Sequence, residues 1–136
     1  MIRIVADTNL LISSIFWDGA PCRIVQRALD GELEIVACAW ILNEVRRVLT
    51  NPEEGFVLSE QEVDDVVNGI LAFSTIVEPS RTLSVSRDAK DDPIIACALA
   101  AKAGFIVTRD KDLLVLKEYS GIRIVSPEEF LELGAF

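Results

Sequence analysis

The chain has 136 residues, with 13 Lys and Arg against 22 Asp and Glu, a formal net charge of −9, and no histidine. A Ser-His-Asp hydrolase, a Cys-His nucleophile pair, a His-ligated zinc centre and a His general base are therefore excluded, and the acidic balance argues against a generic nucleic-acid coat. A hydrophobic share of 51% beside 26% charged residues fits one globular domain over residues 1–136. The longest apolar runs, such as 94–101, are too short to span a bilayer. Residues 1–20 lack a basic start and a long apolar stretch, so a cytoplasmic location away from membranes is expected.

In chain order, the β-branched run Ile2 to Ala6 predicts a first strand ending at Asp7. Thr8 or Asn9 then offers a cap for a helix carrying Leu10, Leu11, Ile12 and Ile15. Pro21 suits the first turn of a second helix, with Ile24, Val25, Ala28 and Leu29 at helical spacing and Gly31 closing it. Leu33 to Ala37 predicts a second strand. Ile41, Leu42, Val45, Val48 and Leu49 mark a helix over 39–49, stopped by Asn51-Pro52. Ser59 to Glu62 reads as a capping box opening a helix through Phe73, and Thr75 to Val77 as a third strand. Residues 78–90 read as a loop. Asp91 or Asp92 then caps an apolar helix from Pro93 to Ala103, ended by Gly104. Phe105 to Thr108 and Ile122 to Val125 predict the last two strands, and Ser126 opens a final helix. Cys22, Cys38 and Cys97 have no CxxC spacing and read as small buried residues.

Strands alternate with helices throughout. Strands as apolar as Ile106-Val107 suit a parallel sheet covered on both faces. Ligands of such sheets bind beyond the carboxyl ends of the strands, where Asp7, Asp91, Asp92, Asp110 and Asp112 all fall. Asp7 follows a buried strand, and a carboxylate at that depth is costly unless paired or metal-bound. Glu44 borders the apolar stripe of its helix and can either join that cleft or pair with Arg47. Asp92 and Asp110 are also good cap or turn residues. Crowded carboxylates raise each other's pKa, and a hard divalent cation relieves that penalty. Carboxylates holding such an ion give a histidine-free route to phosphodiester cleavage.

The segments Ile4-Val5-Ala6-Asp7-Thr8-Asn9-Leu10-Leu11, Glu44, Asp92-Pro93-Ile94-Ile95-Ala96-Cys97-Ala98 and Ile106-Val107-Thr108-Arg109-Asp110-Lys111-Asp112-Leu113 resemble a PIN domain in order and spacing. The chain is similar in particular to the short single-domain prokaryotic toxins of the VapC type. The resemblance implies a three-layer α/β/α sandwich on a central, mostly parallel sheet of about five strands. It implies a Mg²⁺- or Mn²⁺-dependent endoribonuclease in which activated water attacks an RNA phosphodiester. Carried over by position, Asp7, Glu44, Asp92 and Asp110 would be catalytic metal ligands, with Asp91 as a substitute for Asp92 and Asp112 as a further acidic member. Asn9 and Thr108 would orient the carboxylates. Arg46, Arg47, Arg87, Lys90, Arg109 and Lys111 are candidate phosphate contacts, with solvated surface charge as the alternative for each. The resemblance further implies a small antitoxin partner and a homodimer. Phe16 and Trp17 could serve either interface, or simply be core.

Two other readings fit part of the pattern. One is a non-catalytic PIN module for RNA or protein binding. The other is a phosphoryl-transfer receiver or an aspartate-nucleophile phosphatase; the latter would want DxD, where Asp7-Thr8-Asn9 ends in Asn.

Overall fold

The computed structural model describes residues 1–79 and 92–134. Six strands form one sheet in the order β3-β2-β1-β4-β6-β5. They are β1 (Ile2–Ala6), β2 (Leu33–Ala37), β3 (Ser74–Ile76), β4 (Phe105–Val107), β5 (Glu118–Tyr119) and β6 (Ile122–Val125). All neighbours run parallel except β5 and β6. Around them lie α1 (Thr8–Phe16), α2 (Ala20–Leu29), α3 (Ala39–Thr50), α4 (Glu60–Phe73), α5 (Asp92–Ala101), α6 (Lys111–Leu114) and α7 (Pro127–Leu133), with a short 3-10 turn at Pro52–Glu54.

The sheet is six-stranded rather than five-stranded because β5 is only two residues long, too short for alternation to reveal it. The two residues joining β5 to β6, Ser120 and Gly121, have φ of 50° and 83°. Two consecutive positive φ values match the right-handed twist of a tight hairpin. β5 therefore folds back on β6, pairing Tyr119 with Ile122.

Parallel strands need crossovers, and crossovers are right-handed. From β1 the chain steps to β2 and then β3 in one direction, which places α1 to α4 on one side. From β3 it jumps back across to β4, which sends α5 to the other side, where it packs on β1, β2 and β4. The direction of winding thus reverses between β1 and β4. Open α/β sheets form their ligand crevice at such a reversal.

The core runs through both faces of the sheet. Ile4, Val5, Ile35, Val36, Ile106 and Val107 are all buried, as two-sided burial requires. Phe130 is fully buried and meets Phe105 edge-on at 5.2 Å between ring centroids, which locks α7 to the sheet. Cys38 and Cys97 are buried and in contact, and Cys22 is half-buried. Among the described residues no helix is long and apolar enough to cross a membrane.

One helix boundary differs from expectation. Asp7, rather than Thr8 or Asn9, caps α1, its carboxylate accepting from the Leu10 N–H at 2.9 Å. Of the two caps expected for α5, Asp92 lies in its first turn, while Asp91 falls outside the described residues, as does the loop expected from residue 80 onward. The capping boxes expected at Ser59 and Ser126 are both formed.

Removing the Phe130 ring leaves a cavity under α7. Phe130→Ala is expected to lower unfolding stability by about 3–5 kcal/mol, read from the shift in a urea titration.

Candidate active site

The site grows from the pairing of two parallel strands. Ala6 of β1 stands opposite Val107 of β4. The next residues, Asp7 and Thr108, therefore leave the sheet side by side. The Asp7 N–H donates to the Val107 carbonyl at 3.3 Å, continuing the ladder by one bond, and the Thr108 N–H donates to Val125 at 2.9 Å. Both side chains are buried, Asp7 at 7% exposure and Thr108 at 0%. The Thr108 hydroxyl donates to Asp7 Oδ2. Thr108 Oγ1 also accepts from the Asp110 N–H at 2.9 Å, which shapes the turn into α6. Asp110 then caps α6, its Oδ1 accepting from the Asp112 N–H at 2.9 Å.

Burial is the largest influence on Asp7 and raises its pKa above the ordinary carboxylate value of 3.8. Donation from Thr108 and Leu10 opposes that rise, the negative charge of Asp110 adds to it, and Arg109 offsets it slightly. The fold thus holds a carboxylate where its charge is disfavoured, with a second carboxylate close enough to worsen it.

A cavity of about 150 Å³ opens over this pair. Asp7, Thr8 and Asn9 line it from the start of α1, Trp40, Glu44, Arg47 and Val48 from α3, Glu54 from the 3-10 turn, Ile94 from α5, and Asp110. The α3 residues recur at helical spacing and so form one stripe facing the cavity. Within it Arg47 grips Glu44, Nε to Oε1 at 3.0 Å and Nη2 to Oε2 at 3.0 Å.

The cavity therefore brings together Asp7, Asn9, Glu44, Arg47 and Asp110 from the expected set. Asp92 is buried at the head of α5 and Asp112 lies in the first turn of α6, but neither lines the cavity. Arg46 points away, paired with Asp64 of α4 at 2.8 Å, and Arg109 pairs with Glu128 of α7 at 2.8 Å. Lys111 is exposed and outside the cavity. Arg87, Lys90 and Asp91 lie outside the described residues.

Sequence reasoning missed Trp40 and Glu54. Trp40 sits four residues before Glu44 on the same helix face, a spacing that could have flagged it. Glu54 follows the break at Asn51-Pro52, and no periodicity carries across that break.

The donors fit a hard cation. Asp7, Glu44 and Asp110 present only carboxylate oxygens to one cavity, the ligand type that Mg²⁺ and Mn²⁺ prefer, and the burial of Asp7 gives a positive charge something to relieve. Among the described residues no three acidic side chains yet converge closely enough to hold an ion.

The comparisons with known proteins agree with this architecture. The sequence pattern of the PIN domain matches residues 3–112, and the chain belongs to the PIN domain family. No curated protein matches it. Solved structures with a similar fold include VapBC2 from Rickettsia felis bound to a DNA fragment from its promoter, at 13% identity and a TM-score of 0.62, covering 90% of this chain and 97% of that one. PAE2754 from Pyrobaculum aerophilum aligns at 14% identity and a TM-score of 0.63, covering 99% and 91%. FitAcB from Neisseria gonorrhoeae aligns at 14% identity and a TM-score of 0.53, covering 92% and 98%. At such identities the likeness is one of fold.

A buried carboxylate with a raised pKa binds protons more readily in the folded chain, so its ionisation costs stability as pH rises above 3.8. In chelator at pH 7, Asp7→Asn is expected to be at least as stable as the parent. Any advantage should shrink as pH falls toward 3.8 and the parent carboxyl takes up its proton. Denaturant titrations at several pH values measure both effects.

Proposed function

We propose that this protein is a divalent-metal-dependent endoribonuclease that acts as the toxin of a toxin–antitoxin pair. The observation that carries the reading is the cavity at the β1/β4 reversal, where Asp7, Glu44 and Asp110 face one space beside Arg47. Membership of the PIN domain family, a family of nucleases, supports it.

A cation would be held by Asp7, Asp110 and Glu44, with Asp92, two residues before the cavity-lining Ile94, and Asp112, two residues after Asp110, as further candidates. When bound, Mg²⁺ or Mn²⁺ supplies Lewis-acid activation of water and offsets charge on a phosphoryl group. The chain's own residues do the positioning. The Leu10 N–H and the Thr108 hydroxyl fix both oxygens of Asp7, so this donor is rigid before any ligand arrives. Thr108 fixes the Asp110 backbone through the same hydroxyl oxygen. Arg47 contributes a planar fork suited to phosphate oxygens, and Asn9 offers an exposed amide at the rim. Preference for RNA over DNA rests on the resemblance to the VapC-type toxins.

An antitoxin partner is supported by an aromatic patch and by the fold shared with VapBC2 and FitAcB. Phe16 and Trp17 are not core; they are 37% and 58% exposed. They cluster with Phe56, with ring centroids 5.4–6.4 Å apart. A homodimer in the cytoplasm completes the reading, and a one-subunit mass by light scattering would count against that assembly.

Asp7→Asn and Asp110→Asn are expected to abolish Mn²⁺-dependent cleavage of a panel of structured RNAs, and Asp7→Asn to abolish growth inhibition on expression. Full activity in Asp7→Asn would reject the reading. Thr108→Val, which removes only the orienting hydroxyl, should cost about 10–100-fold in activity or metal affinity.

A further inference from the structure

Among the described residues Arg47 is the one cation that lines the cavity. Its Nε and Nη2 each donate to one oxygen of Glu44, so the two side chains meet as a two-pronged fork. Glu54 lies on the same cavity and adds its attraction to Arg47. The pair reaches solvent, with side-chain exposures of 48% for Arg47 and 21% for Glu44. While the fork is closed, Glu44 faces the guanidinium rather than Asp7 and Asp110, and no three carboxylates among the described residues converge.

We propose that Arg47 is a latch on the metal centre. In the free protein it holds Glu44 away from the cation, and an incoming substrate phosphate takes Glu44's place on the guanidinium. A phosphate presents two oxygens at a spacing the same fork accepts. The exchange leaves no charge unpaired, because Arg47 gains the phosphate as Glu44 gains the cation. Metal and substrate would then bind with positive coupling through one residue pair, and the centre would be complete only when a phosphate is present. This inference rests on the metal-centre reading above.

The test titrates Mn²⁺ alone into the full-length protein by calorimetry. Arg47→Lys keeps the positive charge but cannot form the fork. It should bind Mn²⁺ about fivefold or more tightly than the parent, while its RNA cleavage falls. Arg47→Gln should also bind Mn²⁺ more tightly, and that gain should vanish when Glu44 is already replaced in Glu44→Gln. Mn²⁺ binding that is equal in the parent and Arg47→Lys overturns the latch alone. So does a gain from Arg47→Gln that persists in the Glu44→Gln background, since simple removal of charge would then explain it. No Mn²⁺ binding in the parent or any variant overturns the metal-centre reading and the latch together.

Discussion

The structure turns on the hydrogen bond between the Thr108 hydroxyl and the buried carboxylate of Asp7. These residues are 101 positions apart. They meet because β1 and β4 pair in parallel with Ala6 opposite Val107. Each strand delivers one polar side chain to the same edge, at the point where the sheet's winding reverses. Thr108 then shapes the turn that presents Asp110, and Asp7 caps the helix that presents Asn9. One strand register thus sets the positions of three carboxylate-bearing or amide-bearing groups.

This arrangement carries a cost that a stability-only sequence would avoid. A buried ionised carboxylate next to another carboxylate is unfavourable. Asp7 is nonetheless well held by two donors, so its burial is organised rather than incidental. Groups kept in unfavourable electrostatic environments cluster where a protein binds or reacts. The net charge of −9 reads differently in that light. Part of it lies in Asp7, Glu44, Glu54 and Asp110, gathered on one cavity. Ion pairs such as Asp64 with Arg46 and Glu128 with Arg109 are neutral in sum and do not account for the excess. Those pairs are exposed and contribute little to stability, yet they turn two candidate phosphate-binding arginines away from the cavity.

Helix α3 provides a second wall of the cavity. Its buried residues Ile41, Val45, Val48 and Leu49 anchor it in the core, while Trp40, Glu44 and Arg47 face the cavity. One wall carries Asp7 held by Thr108; the other carries Glu44 held by Arg47.

Sequence alone determined the alternation of strands and helices, the parallel buried sheet, the capping boxes at Ser59 and Ser126, and the grouping of Asp7, Glu44 and Asp110 as candidates. These follow from local signals: hydrophobic period, β-branched runs and cap chemistry act over a few neighbouring residues. It also raised Glu44 with Arg47 as a possible pair, because three positions on a helix bring side chains together. Only the tertiary structure decided which cations reach the cavity, since Arg46 and Arg47 are adjacent in the chain but point to different partners. It alone placed Glu54 on the site, exposed Phe16 and Trp17, and left Asp92 and Asp112 off the cavity wall. Those outcomes depend on how separate elements pack. A chain written in one dimension records which groups are available, but only the packing of α3 and the register of β1 on β4 settle which of them meet.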